Sequence, residues 1–559
     1  MRSLSGGDLI ITPKGTDIVI RWAFHRLLRS GFVVLVVGIT SCDPGAPGDL
    51  EYDVILQNAR VLDGTGTPWY GADVGIQGNR IAAVGRLDGA RAPRTIDATG
   101  LYLAPGFIDL HSHAASGLKE EDLSVAHPLL AQGITLVAIN PDGGGAADLV
   151  DQEDELLQHG LGVNVAQYIG HGSVRSEILG MEDRAPDHAE LDRMRDMVRR
   201  AMEHGAVGLS SGLFYAPGSY AELAEVVELA RVAADYGGIY SSHIRDESNY
   251  TIGVLASVEE VIHVAREAKL PGKVTHIKSL GPPVWGTSAE VVNLIERARQ
   301  EDVEMWADQY PYEASSTGLA AALVPRWAQA GGQEELDRRL DDPDTGERIR
   351  SEMEENLARR GGPDRLQFSR YSDDPSIEGM TLAALADERD LDPVELAIEL
   401  VRGGGPGVVS FNMDPDDIHR YMRQPWTATA SDGGLPRMGE GAPHPRSYGA
   451  FPRKIRKYVV EDEVVDLPTA IRSMTALPAA IIRLHDRGII RPGAYADLVV
   501  FDLERLQDHA TFESPHQLSE GMIHVLVNGE FVIHDEAFTD ALPGVMVRGR
   551  RALGAPALD

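Results

Sequence analysis

The sequence predicts an α/β protein: a (β/α)8 TIM-like barrel with a small β-sandwich domain built from both chain ends. Two observations predict this fold. Short apolar strands alternate with amphipathic helices over about 105–486, the rhythm of a parallel sheet, and this many repeats favour a barrel. Strand-like segments with glycine and aspartate at their turns fill 50–104 and return at 487–559, so we expect one sandwich closed by both ends.

The first 49 residues have the features of an export segment followed by a tether. Arg21, Arg26 and Arg29 precede the apolar run 31–39, whose last residue begins the sequence Ile-Thr-Ser-Cys. The run is too short for a membrane span, which needs roughly 20 apolar residues, and the order is typical of a secretion signal. The ending resembles a bacterial lipobox, whose cysteine, here Cys42, becomes the lipidated N-terminus. We expect an extracytoplasmic, membrane-anchored lipoprotein in the periplasm or on the cell surface; the alternative is a membrane-anchoring or merely buried N-terminal helix with an incidental cysteine.

Composition limits the classes of partner. The chain has 559 residues, a formal net charge of −33 and a pI near 4.9. Such acidity repels phosphate backbones, so nucleic acid is excluded as an expected partner. With one cysteine in the chain, an intrachain disulfide and a CxxC metal or redox motif are both excluded. A small-molecule partner remains, and the oligomeric state is open.

One segment interrupts the alternation of strands and helices. From about 325 to 375 the chain is highly charged and helical in pattern. We predict an insertion over the barrel mouth within the 105–486 domain. The alternative is an ordinary pair of long barrel helices.

His111 and His113 end the apolar segment PGFIDLHSH. Side chains of a strand repeat every two residues, so both imidazoles lie on one face. At the carboxyl end of a barrel strand, that face points into the active-site mouth. The segment therefore predicts a metal site.

Two further histidines end later strands: His243 in GGIYSSHIRDE and His276 in KVTHIKSLG. Imidazoles on three strand ends can converge on one point, and imidazole suits zinc, so we predict one or two Zn²⁺ ions. Asp432, in TATASDGG, ends a still later strand. A carboxylate there can take a proton from the attacking water and pass it to a leaving nitrogen, so Asp432 is the predicted catalytic residue.

With these residues in place, the chain resembles the amidohydrolase superfamily and, within it, the D-aminoacylase (N-acyl-D-amino-acid deacylase) family. The resemblance extends from residue 52 to about 551, and its order and spacing make it specific. It implies metal-dependent hydrolysis of the amide bond of N-acyl-D-amino acids, or of peptides ending in a D-residue. The segments that carry it are PGFIDLHSH, NVAQYIGHGSVR, GAVGLSSGLFYAPG, GGIYSSHIRDE, HIKSLG, ADQYPYEASST, SDGG, HPRSYGAFPR and RGIIRPGAYADLVVFD.

The sequence departs from the family pattern at one predicted ligand. The resemblance implies a cysteine ligand after an early barrel strand, but the equivalent stretch here reads GITLVAINPDG, with Asp142 at that position. Carboxylates also bind zinc, either at one ion or as a bridge between two. We therefore predict Asp142 as a metal ligand, with the metal and the number of ions left open. The alternative is that Asp142 only caps a turn.

The resemblance also implies residues for the substrate carboxylate, which needs a cation and hydroxyl donors. Arg446 in HPRSYG is the first choice for this clamp. His171 in IGHGSVR is expected near the mouth without a metal. The other positions that match the family are Lys278, Tyr310, Ser315 and Ser316.

Two alternatives remain at this point. A cyclic-amide hydrolase, such as a hydantoinase or dihydropyrimidinase, shares the fold and the His-x-His strand. Those relatives bridge two metals through a modified lysine on a mid-barrel strand, and no lysine lies between Gly143 and His243. A non-catalytic binding lipoprotein is the other alternative. A barrel needs none of these histidines to fold, so their presence argues against a non-catalytic scaffold.

Overall fold

The computed structural model describes residues 51–549. The predictions for residues 1–49, including lipidated Cys42, lie outside the described residues. The strands of the described chain are Val54–Val61 (β1), Tyr70–Gln77 (β2), Arg80–Gly85 (β3), Arg94–Asp97 (β4), Tyr102–Pro105 (β5), Phe107–Asp109 (β6), Ile134–Ile139 (β7), Asn164–Gly170 (β8), Gly208–Gly212 (β9), Ile239–His243 (β10), Gly272–Val274 (β11), Met305–Gln309 (β12), Ser315–Gly318 (β13), Leu366–Arg370 (β14), Gly407–Ser410 (β15), Thr427–Thr429 (β16), Leu498–Phe501 (β17), Met522–Val527 (β18), Glu530–His534 (β19) and Ala537–Phe538 (β20).

Helices occupy most connections between the barrel strands. In the described part of the chain, none is both long and apolar enough to cross a bilayer. The α-helices are Ala115–Leu118 (α1), His127–Leu130 (α2), Leu149–Leu157 (α3), His171–Leu179 (α4), His188–His204 (α5), Leu223–Asp235 (α6), Gly253–Ala268 (α7), Ser288–Gln300 (α8), Leu319–Leu323 (α9), Gln333–Asp341 (α10), Pro343–Arg359 (α11), Leu382–Arg389 (α12), Pro393–Arg402 (α13), Pro415–Met422 (α14), Arg446–Ile455 (α15), Leu467–Met474 (α16) and Ala476–Ile481 (α17).

The predicted barrel is confirmed. Among residues 51–549, eight strands pair in parallel in the order β6-β7-β8-β9-β10-β11-β12-β16. Every residue of β7 and β8 is buried, as expected for strands packed on both faces. The two ends of this order meet, because the N–H of Asp432 donates to His111 O (2.9 Å) and the N–H of His113 donates to Gly433 O (2.8 Å). The carboxyl ends of the strands therefore surround one mouth.

The domain that the sequence predicts as a small β-sandwich is present as a separate sheet domain built from both chain ends. Within the described residues its strands form one continuous nine-stranded sheet, in the order β20-β19-β18-β17-β5-β1-β2-β3, with β4 beside β1. The central pair joins the two ends of the chain, since β17 runs antiparallel to β5 with Leu498 opposite Pro105. Arg80 Nη1 also donates to Gly493 O, 413 positions away.

The predicted insertion at about 325–375 falls within a longer segment, 315–410. This segment contains a three-stranded antiparallel sheet, β13-β15-β14, together with helices α9 to α13. Its buried side chains, such as Met353 and Phe368, form a hydrophobic cluster of their own. The charged helices α10 and α11 belong to this separate core, so strands as well as helices build the insertion.

Helix α15 contains a buried lysine, Lys454, whose effect on the stability of the fold can be measured. Lys454 is 3% exposed, and burial alone lowers its pKa from 10.5 to about 7. The unfolded chain therefore binds more protons than the folded chain between about pH 7 and pH 10, so stability falls as the pH is lowered through this window.

We expect Lys454→Met to raise the Tm at pH 7.5, by about 1 °C for each kcal/mol gained in a chain of this length, and the gain to shrink towards pH 10. Thermal melts at both pH values measure this. Lys457→Met is the matched control, because Lys457 is partly exposed and lies 2.9 Å from Asp462 Oδ2. Equal melting curves for wild type and Lys454→Met at pH 7.5 would contradict the prediction.

Candidate metal centre and substrate cavity

The structure brings the five predicted metal ligands and the predicted catalytic residue together at the barrel mouth. Two sets of side chains each present ligand atoms within 4.8 Å of one another, as a metal ion requires. The first set is His111, His113, Asp142 and Asp432, and the second is Asp142, His243 and His276. Both sets share Asp142.

The two oxygens of Asp142 face different sets of histidines. Oδ2 lies 3.1 Å from His111 Nε2 and 3.4 Å from His113 Nε2. Oδ1 lies 3.5 Å from His276 Nε2 and 3.8 Å from His243 Nδ1. A carboxylate placed in this way can hold two ions, one on each oxygen.

Backbone conformation turns three of these side chains into the mouth. Asp142 (φ 56°), His276 (φ 33°) and Asp432 (φ 50°) all adopt left-handed backbone conformations, which are costly for residues other than glycine and cluster at functional sites. The loop that carries Asp142 also lies against the end of β9. A Cβ on Gly212 would lie 2.1 Å from Asp142 O, so only glycine permits this approach.

Asp109, fully buried on β6, links the first barrel strand to the last. Its Oδ1 accepts hydrogen bonds from the N–H of His111 and of Ser431, both at 3.1 Å. The Ser431 hydroxyl donates to Oδ2 of the same carboxylate. Burial raises the pKa of Asp109 to about 6. The carboxylate thereby holds His111 beside Asp432.

His243 supplies an independent test of whether the residues fit a metal. Both of its ring nitrogens are buried, and neither has a hydrogen-bond partner among residues 51–549. Burial, the largest effect, lowers its pKa, so the ring is neutral and keeps a lone pair for a metal. Buried polar atoms are normally satisfied. The unpaired nitrogens beside Asp142 and His276 therefore fit a metal ion.

The remaining ligands are held in a strongly charged environment. Burial alone would lower the pKa of His111, but Asp142 and Asp432 outweigh it and raise the pKa to about 9. Burial alone would raise the pKa of Asp142, but His111 and His276 hold it well below its usual range. A bound metal cation would supply the positive charge that the protonated imidazoles otherwise provide to the two carboxylates.

Asp432 is paired with the predicted substrate clamp. Its Oδ1 lies 3.2 Å from His113 Nε2 and 3.3 Å from His111 Nε2, and its Oδ2 lies 2.8 Å from Arg446 Nη1. Burial alone would raise the pKa of Asp432, but Arg446 and His111 hold it well below the usual range. Asp432 is therefore a carboxylate at neutral pH and can accept a proton.

The cluster opens into a cavity of about 860 Å³. The predicted substrate residues all line it: Lys278, Tyr310, Ser315, Ser316 and Arg446. Burial raises the pKa of Tyr310 well above 10, so its hydroxyl remains protonated. The cavity thus presents cations and hydroxyl donors beside the metal cluster.

Besides Asp109, two acidic residues of the site, Glu247 and Asp308, are absent from the sequence predictions. Glu247 Oε1 accepts from Lys278 Nζ (2.6 Å) and lies 3.0 Å from His276 Nδ1. Asp308 accepts from the His276 N–H (2.5 Å) and from the buried Lys273 ammonium. Such partners orient metal-binding histidines. Two sequence features could have indicated them: Glu247 lies four residues after His243, and Lys273, the partner of Asp308, lies inside the apolar segment GKVTH.

Two other histidine groups do not contribute to the centre. His171 is fully buried, with Nε2 2.8 Å from Glu225 Oε1, and this pairing is structural. His524 lies near His534 and Asp535 in the terminal sheet. However, its Nδ1 accepts from the Asp535 N–H, so its ring proton occupies Nε2, the nitrogen facing the other two residues.

Comparisons with known proteins agree with this geometry. The Amidohydrolase family model matches residues 94–533. An N-acyl-D-glutamate deacylase from Alcaligenes xylosoxydans xylosoxydans is 35% identical over 535 residues, covering 90% of this chain and 99% of the relative. A D-aminoacylase from the same organism is 34% identical over 513 residues, covering 87% and 96%.

Solved structures give the same result. The N-acyl-D-glutamate deacylase from Bordetella bronchiseptica, complexed with zinc and a phosphonate mimic of the tetrahedral intermediate, matches with a TM-score of 0.77 and 33% identity over 89% of this chain and all of that chain. A D-aminoacylase described with a binuclear metal centre matches with a TM-score of 0.76 and 32% identity over the same shares. A D-hydantoinase, at 14% identity and a TM-score of 0.54, shares the fold alone. The chain therefore belongs to the amidohydrolase superfamily and, within it, to the D-aminoacylase family.

Proposed function

We propose that this protein is a metal-dependent hydrolase that cleaves the amide bond of N-acyl-D-amino acids and releases the free D-amino acid. The observation that carries the proposal is the shared carboxylate of Asp142 between two histidine sets, with Asp432 in one of them. Relatives above 30% identity over most of the chain are deacylases of N-acyl-D-amino acids. D-terminal dipeptides present the same amide and carboxylate and belong to the proposed substrate class.

The residues fit one or two zinc ions, which would be held by His111, His113, Asp142, His243 and His276. Zinc bound there supplies a Lewis acid for the substrate carbonyl and lowers the pKa of water. Asp432 accepts the proton of the attacking water and delivers it to the leaving nitrogen. The amide bond then breaks, giving a carboxylate and a free amine.

The cavity residues hold and orient the substrate. Arg446 binds the α-carboxylate, and because its Nη1 lies 2.8 Å from Asp432, this contact brings the scissile amide close to the proton acceptor. Lys278, whose Nζ lies 5.6 Å from the Tyr310 ring centroid, adds a second cation. The Tyr310, Ser315 and Ser316 hydroxyls line the same cavity as further donors; those of Tyr310 and Ser315, which donate here to Met413 Sδ and Asn412 Oδ1, would rotate towards the substrate. Charge-assisted contacts of this kind fix orientation as well as affinity.

The test measures metal content and amine release on protein expressed from Asp43 onward. Elemental analysis is paired with a panel of N-acetyl-D-amino acids, their L-enantiomers and D-terminal dipeptides. Bound zinc with D-selective release is the expected result. Bound zinc without release from any of them would overturn the substrate assignment in favour of other amides. A folded protein that stays metal-free and inert after zinc addition would leave only a binding role.

We also propose that the mature protein is an extracytoplasmic lipoprotein anchored through Cys42. The support is the order of arginines, short apolar run and Ile-Thr-Ser-Cys in residues 21–42. In bacteria given a labelled fatty acid, we expect the full chain to carry label and sediment with membranes. Cys42→Ala should lose both properties, while the neighbouring Ser41→Ala should keep them. Equal labelling of wild type and Cys42→Ala would contradict the proposal.

A further inference from the structure

One cation in the wall of the cavity differs from the others in its pairing. Five lysines and arginines of the described chain line this cavity: Lys278, Arg360, Arg370, Arg437 and Arg446. Four of them have a carboxylate oxygen within 4 Å, supplied by Glu247, Glu440, Asp122 and Asp432. Arg360 has none among the described residues, and yet it is the most deeply buried of the five, at 1% exposure.

The contacts of Arg360 leave its charge unbalanced. Nε donates to Ala322 O (3.3 Å) and Nη1 donates to the Ser410 hydroxyl (3.0 Å), and both acceptors are neutral. Nη2 has no hydrogen-bond partner among residues 51–549. Burying a charge is costly unless an opposite charge compensates it. The guanidinium is thus fixed by the insertion and prepared for an anion from the cavity.

The surroundings of Arg360 strengthen the preference for an anion. Arg326 lies close behind the wall, and burial together with the charge of Arg360 lowers its pKa to about 10. Ser315, which lines the cavity, donates to Asn412 Oδ1 (3.1 Å), while the buried Asn412 Nδ2 has no partner in the described chain. Ser315 is also opposite Ser410 in the β13–β15 pair. The layer behind this part of the wall therefore adds a second positive charge and one amide donor without a partner among the described residues.

We propose that Arg360 binds the side-chain carboxylate of the substrate, so that the enzyme prefers N-acyl derivatives of acidic D-amino acids. This inference rests on the proposed function. Arg446 adjoins the catalytic cluster, whereas Arg360 is held by the insertion and has no contact with that cluster. Two separate cations in one cavity match a substrate with two carboxylates. The planar fork of an arginine suits bidentate binding of the second one.

The test compares N-acetyl-D-glutamate with N-acetyl-D-glutamine, which has the same shape without the charge. We expect the wild type to prefer the glutamate. Arg360→Met should lose about 10- to 100-fold in kcat/KM on the glutamate, as for a lost hydrogen bond to a charged group, and stay within about threefold on the glutamine. Arg360→Lys should lose less, because it keeps the charge but not the fork.

Arg359→Met is the matched control. Arg359 precedes Arg360 in the chain, but its Nη2 donates to Glu355 (3.1 Å) and it does not line the cavity. We expect its ratio of glutamate to glutamine turnover to match that of the wild type. Equal losses on both substrates in Arg360→Met would place Arg360 at the α-carboxylate instead and overturn the inference.

A binding measurement separates this inference from the proposed function. Calorimetry of D-glutamate and D-glutamine with the wild type and with Arg360→Met requires no turnover. Selective binding of D-glutamate that Arg360→Met loses supports the inference even if no N-acyl-D-amino acid is hydrolysed, an outcome that would defeat the proposed function alone. A wild type that hydrolyses neutral N-acyl-D-amino acids and does not prefer the glutamate overturns the inference and leaves the proposed function intact. If Arg360→Met fails to fold, the wild-type comparison of the two ligands still decides.

Discussion

Replacing Asp432 with alanine will lower kcat by about two to four orders of magnitude, the range for removal of a general acid–base group. The carboxylate is ionised, lies within 3.3 Å of His111 and His113, and is paired with Arg446. These contacts keep Asp432 ionised and place it beside the histidines that would hold the metal and its bound water. Steady-state rates on N-acetyl-D-amino acids measure the loss, and elemental analysis measures the metal.

The metal content of Asp432→Ala shows whether the variant has lost only the catalytic carboxylate or the whole metal centre. Asp432 belongs to one of the two ligand sets only, so Asp432→Ala should retain at least one ion per chain at Asp142, His243 and His276. Asp432→Asn, which keeps the shape and removes the charge, should be equally slow. Near-normal turnover in either variant would remove Asp432 from its catalytic role.

Replacing Asp142 with asparagine will have the second large effect, because it removes the one ligand shared by both sets. We expect the protein to lose most of its bound metal and its turnover to fall by more than the 10- to 100-fold typical of changes to outer partners. Asparagine tolerates the left-handed conformation at φ 56°, so the backbone should be undisturbed. Elemental analysis after dialysis checks the first expectation.

Two further variants control for charge and backbone. Asp142→Cys restores an anionic ligand and should recover zinc binding. Asp390→Asn makes the same change at another left-handed aspartate, φ 52° at the end of α12, and should keep both metal and activity. Full metal occupancy in Asp142→Asn would show that the histidines suffice and that Asp142 only shapes the turn.

The ligand residues could be predicted because barrel topology brings strand ends together. His111, His243 and His276 each follow an apolar segment, and parallel strands place their carboxyl ends at one mouth. Asp142 also follows a strand, but its shared position depends on left-handed turns and on the close approach of Gly212. Neither feature has a periodic pattern in the sequence.

The residues that the sequence did not predict act across the barrel. Glu247, Asp308 and Asp109 each form contacts between neighbouring elements, and weak local signals such as the acid four residues after His243 do not reveal those partners. Arg360 is a similar case. It follows a highly charged helical segment, where the sequence pattern predicts that an arginine is exposed to solvent. Its role depends on burial and on the lack of a carboxylate partner, which only the folded insertion determines.

The sheet built from both chain ends also constrains how this molecule can be made. Strand β17 pairs with β5, and Arg80 reaches Gly493, so the half of the sheet formed by β1 to β5 meets its C-terminal half only when translation is almost complete. Contacts so distant in sequence slow folding. The β5 edge of the first described strands therefore has no partner until the final segment has been synthesised. Truncation at either terminus would leave that edge permanently open to pairing with another chain.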